Sequence, residues 1–217
     1  MNPDRGEDKT VHGSAPARPR RVLLLLLVAL AALAADFLTK EIALARFSPQ
    51  DPVVLLGGLL KLTLIFNPGA AFSIGTGYTW FFSLVMIGVI VYILSTARKL
   101  RSVGWGMSLG LILGGASGNL VDRLFRPPSP LHGHVVDWIQ VPNWPVFNIA
   151  DSCIVVGGIL AVLLAFRGIN LDGTRESDGE EDQAEATRPP AQGEAGGRGA
   201  EDTAEGSTSV RKEDGRE

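Results

Sequence analysis

Two aspartates stand in apolar company: Asp137 in HVVDWI and Asp151 in FNIADSCIVVG. No lysine or arginine lies within four positions of either. An ionised aspartate at a bilayer centre costs roughly 2.5–3.5 kcal/mol on insertion scales. Two such carboxylates without a cation need each other, a proton or a substrate. If they meet, repulsion raises one pKa and the pair shares a single proton. One member is then a base that activates water, and the other an acid that protonates a carbonyl or a leaving nitrogen. That is aspartic-protease chemistry. It needs no metal and no cysteine, so no cofactor is expected. The chain has one cysteine, Cys153, which excludes an internal disulfide and a C-x-x-C zinc site. His132 and His134 lack a third ligand at useful spacing, and no metal site is expected there.

Other polar residues gather at the same level. Asn119, Asp122 and Arg123 stand at i, i+3 and i+4, one face of a helix. Asn148 and Asp151 are i and i+3, and Asp36 and Lys40 are i and i+4. Asn67 stands directly before the Pro68-Gly69 turn. Each has a plainer structural reading. Asp36 and Lys40 suit a local ion pair, and Asp122 with Arg123 a self-neutralised pair. The asparagines suit hydrogen bonding between helices, and Gly114, Gly115 and Gly118 a close helix approach. Cys153 suits a small apolar filler. Asp137 and Asp151 have no such easy account.

These residues must be positioned by membrane helices. Four stretches approach the ~20 residues a spanning helix needs: Val22–Thr39, Tyr78–Ala97, Val103–Val121 and Phe147–Phe166. Arg18, Arg20, Arg21, Arg98, Lys99, Arg101 and Arg167 flank one set of ends, which places both termini in the cytoplasm. The segments near 40–77 and 122–146 are then outside, although they also carry basic residues. RPRR followed by a Leu/Ala run and ALAAD has the look of a signal peptide. With three more spans following, it is expected to remain as an anchor. Between spans one and two, VVLL and LKLTLIF predict short strands, with turns at Gly57-Gly58 and Pro68-Gly69. They form a small sheet, about 50–77, on the outer surface. No repeat at solenoid spacing occurs.

The formal net charge of −3 hides two compositions. Residues 168–217 hold 14 Asp/Glu against six Lys/Arg and almost no large apolar residue. Such a tail is expected to be disordered, as is the polar segment 1–20. The expected fold is therefore a membrane all-α protein: a four-helix domain over 21–167, a small extracytoplasmic β-sheet platform, and disordered cytoplasmic termini. A small proton-coupled transporter or channel subunit is the rival reading, since intramembrane carboxylates mark ion paths. It calls for a polar path to both sides, whereas the polar residues here cluster at the outer ends. An assembly or chaperone role explains the glycines but not the two aspartates.

DFLTK (36–40), NPGAAFSIG (67–75), GGASGNLVDRL (114–124), HVVDWI (134–139) and FNIADSCIVVG (147–157) together resemble, in order, the signature blocks of bacterial lipoprotein signal peptidases, in an actinobacterial-like form. The resemblance covers roughly residues 20–167. It implies an intramembrane aspartic endopeptidase of the cell membrane, with its active site near the outer face. Such an enzyme cuts signal peptides from diacylglyceryl-modified prolipoproteins just before the lipidated cysteine. It implies Asp137 and Asp151 as the catalytic dyad. Asn67 through Phe72 (Gly69 included), Asn119, Asp122, Arg123 and Asn148 surround the site, with Asp36 and Lys40 in support. The implied partners are the prolipoprotein substrate and membrane lipid, with no nucleic acid, and the chain is expected to act as a monomer. The F-R-P-P-S-P stretch is expected to lengthen an outer loop without moving the dyad, and the acidic tail to take no part in catalysis. Asp122 is a rival for the dyad, disfavoured because the adjacent Arg123 would hold it ionised.

Overall fold

The computed structural model describes residues 19–69, 79–128 and 130–175. Seven elements follow in order: α1 (Val22–Arg46), β1 (Val53–Leu55), β2 (Leu60–Asn67), α2 (Thr79–Thr96), α3 (Val103–Phe125), β3 (Val135–Gln140) and α4 (Ile149–Phe166). Residues 1–18, 70–78, 129 and 176–217 lie outside the described residues. Part of the expected platform, residues 70–75 of NPGAAFSIG with Phe72 among them, and most of the expected tail fall there.

α3 is the hub, packed on α1, α2 and α4. Its small residues make this possible. A Cβ on Gly114 would collide with Ala29 and Ala32 of α1, and one on Gly115 with the Ala150 carbonyl of α4. Such small-residue contacts let backbones approach where lipid supplies no hydrophobic drive. Ser108 adds an interhelical bond, its Oγ donating to the Gly157 carbonyl at 2.8 Å. α1, α2 with its following turn, and α4 are long and apolar enough to cross a membrane. They turn large side chains outward: Leu30, Tyr92 and Val155 are exposed. α3 does not reach that apolarity because its surroundings are protein, which favours Gly and Ser over Leu. Three of the four expected spans are thus met by length and composition.

α1 continues past the expected end at Thr39 to Arg46. Lys40 does not stop it, because its ammonium is neutralised by Asp36 one turn earlier, at 2.8 Å. At the opposite end of the bundle, the chain stays packed beyond Phe166. The Leu171 carbonyl accepts from the backbone of Arg101 and Ser102, and the Trp105 indole N–H donates to the Ile169 carbonyl at 2.7 Å. The packed segment therefore includes residues beyond the boundary expected at 167.

β1 and β2 form as expected, turning through Leu56–Gly58 with positive φ at Gly57 and Gly58. The third strand was not expected. VVDWI, read as a connecting segment, pairs antiparallel with β2, giving the order β1-β2-β3. Ile65 faces Asp137 and Asn67 faces Val135 across the pair, with an irregularity between Leu62 and Ile65. The alternation in VVDWI is broken because Val135, Val136 and Asp137 are all buried. This conceals the strand period.

Candidate active site

β3 delivers Asp137, and the first turn of α4 delivers Asp151. Asn148 joins them. It is the N-cap of α4: its Oδ1 accepts from the Asp151 backbone N–H at 2.9 Å, and the Asp151 carboxylate accepts from the Asn148 N–H at 3.2 Å. This is a capping box with aspartate at the third position. The Asn148 amide nitrogen, pointing the other way, donates to Asp137 Oδ1 at 2.7 Å. Asn67 donates to Asp137 Oδ2 at 2.9 Å, and Asn119 donates to Asp151 Oδ1 at 2.8 Å. Each carboxylate is thus held by amides, and among the described residues no ion pair reaches either.

Both carboxylates line one cavity of about 350 Å³ between α2, α4 and the sheet. Asp137 is 3 % exposed. Burial first, and then the Asp151 charge, push its carboxyl up to about 7, although the Asn67 and Asn148 hydrogen bonds favour the charged form. A carboxyl poised there can give or take a proton near neutral pH.

The remaining expected residues fall into two groups. Arg123 is buried and borders the cavity, donating to the Gly69 carbonyl at 2.8 Å and lying 5.8 Å over the Phe82 ring. Its Nε and Nη1 have no hydrogen-bond partner among the described residues. The other group is a closed ion network. Lys40 bonds Asp36 and Asp122, each at 2.8 Å, and donates to Asn119 Oδ1 at 3.0 Å. Asp36 also accepts from the Ala150 N–H of α4 at 2.9 Å, and Asp122 from the Val136 N–H of β3 at 3.2 Å.

Asp122 does not pair with Arg123, contrary to the sequence expectation. Consecutive residues on a helix diverge, whereas i and i+4 meet. Its partners are Arg126, which also reaches Glu41, and Lys40. Arg126 and Glu41 were missed. The D-x-x-x-R spacing was the available signal for Arg126, but nothing local indicates a contact to Glu41, 85 residues away.

The profile of a family described as Signal peptidase (SPase) II matches residues 28–167. The chain belongs to that family. Two relatives named lipoprotein signal peptidase illustrate the likeness. One from Rhodococcus jostii is 51 % identical over 80 % of this chain and 88 % of its own length. One from Mycobacterium avium is 51 % identical over 71 % and 85 %. A solved bacterial membrane enzyme, determined by the in meso method, superposes with a TM-score of 0.63. It is 26 % identical over 70 % of this chain and 93 % of that one. This signal peptidase II family member is accordingly a peptidase and a multi-pass membrane protein.

Proposed function

We propose that the chain is an aspartic endopeptidase that removes signal peptides from diacylglyceryl-modified prolipoproteins, just before the lipidated cysteine. The observation that carries this reading is Asn148. One side chain in one capping box holds Asp137 and Asp151 on a common cavity without neutralising either. Four helices span the cell membrane in this reading, with α3 as the enclosed span and both termini cytoplasmic. The sheet lies on the outer face, so water reaches the dyad beside the lipid. A single chain supplies both carboxylates, which suits a monomer.

The chemistry follows from the geometry. A water sits between the carboxylates. One takes its proton as the oxygen attacks the scissile carbonyl, forming the C–O bond. The protonated partner stabilises the tetrahedral oxygen. Collapse breaks the C–N bond, and a proton passes to the leaving nitrogen. Asn67 and Arg123 orient the substrate backbone. The dyad must hold one proton, and Asp137 loses its own near pH 7. kcat/KM is therefore expected to fall as pH rises above about 7. The transporter alternative is not favoured by the peptidase family to which the chain belongs.

The test uses purified protein in nanodiscs with a diacylglyceryl-modified prolipoprotein peptide and its unmodified counterpart. Mass spectrometry is expected to find one cut, before the modified cysteine, and much slower cleavage of the unmodified peptide. Cleavage elsewhere, or none by folded protein, contradicts the proposal.

A further inference from the structure

Asp137 borders two cavities. Besides the one it shares with Asp151, it lines a larger groove of about 750 Å³ on the sheet, where Lys61 and Gln140 stand at the far end. Asn67 and the segment Trp144–Val146 form a rim common to both. The two cavities differ in chemistry. The first opens between membrane helices and is walled by Phe82 and Met86 of α2 and Ile154 and Val155 of α4. The second leaves the helices and ends in side chains that carry a cation and an amide.

We infer that the sheet groove is the subsite for the mature chain downstream of the cut, and that Lys61 sets its charge preference. The inference rests on the proposed function. A substrate cut at Asp137 must leave in two directions. Its apolar signal helix belongs with the apolar wall and the membrane, so the polar mature segment takes the groove. Lys61 and Gln140 are paired across β2 and β3. Gln140 is three residues along β3 from Asp137, roughly 10 Å at strand spacing. An extended substrate covers that distance in about three residues. Lys61 and Gln140 line the same groove as Asp137, so the Lys61 ammonium meets the third residue or so after the cut and favours Asp or Glu over Lys there. Lys61 touches neither dyad carboxylate and forms no ion pair among the described residues. The contact is open to water, so a modest effect is expected, about three-fold.

The experiment compares lipid-modified peptides bearing Asp or Lys at the second, third and fourth positions after the cut, with wild type and Lys61→Glu. Wild type is expected to show a KM about three-fold lower for Asp, largest near the third position. Lys61→Glu is expected to reverse that preference with kcat unchanged, and added salt to flatten both. An identical preference in both proteins overturns the inference, as does a charge effect that tracks residues before the cut. Absence of cleavage by wild type instead overturns the function on which it rests.

Discussion

Asp122 and Asp137 are buried almost equally, at 2 % and 3 % exposure, yet their surroundings are opposite. Asp122 meets Lys40, Arg126 and a backbone N–H, and with Asp36 it belongs to a network in which each carboxylate has a cation. Among the described residues, the hydrogen bonds to the Asp137 carboxylate come from the amides of Asn67 and Asn148. The Asp122 charge is balanced by fixed cations, whereas Asp137 is held by amides beside a second carboxylate. The ion network joins α1 to α3, α4 and β3, and so aligns the elements that carry the dyad.

The largest contrast concerns activity. Replacing Asp137 or Asp151 by Asn is expected to lower kcat by at least about 10³-fold, read by single-turnover cleavage, while the melting temperature hardly moves. Lys40→Met works the other way. It leaves buried Asp36 without its cation and Asp122 with Arg126 alone, and is expected to cost about 3–5 kcal/mol, read by thermal unfolding in detergent. A smaller effect sharpens the amide half. Asn67→Ala removes a hydrogen bond that favours ionised Asp137, so its pKa rises further. The alkaline limb of kcat/KM should move to higher pH, together with some loss of rate. An unmoved limb would separate Asn67 from the dyad. Smallest is Glu41→Gln at the exposed end of the ion network. It is expected to cost less than about 0.5 kcal/mol and to leave the limb in place.

The site was more legible than the scaffold around it. Asp137 and Asp151 stood out because no basic residue lies near either in sequence, and Asn148 because its spacing to Asp151 is helical. β1 and β2 were readable from apolar strands punctuated by glycine. β3 was not, since Val135, Val136 and Asp137 are all buried and the two-residue period vanishes. The ion network was half legible. Asp36–Lys40 is local, but Lys40 to Asp122 and Arg126 to Glu41 depend on how α1 lies against α3, which the glycines permit and no local pattern states. The continued packing to Arg175 was hidden by composition, because GINLDGTR looks like the tail that follows it. Its contacts include the Ile169 and Leu171 carbonyls, which any sequence has.

The most direct test measures cleavage per folded molecule for wild type, Asp137→Asn, Asp151→Asn and Asp122→Asn, with the folded fraction taken from thermal unfolding of the same samples. Well-folded, inactive dyad variants are expected, with a destabilised Asp122→Asn whose folded fraction still cleaves within about ten-fold of wild type. Cleavage by either dyad variant, or an Asp122→Asn protein that is folded yet as inactive as they are, would contradict the dyad assignment.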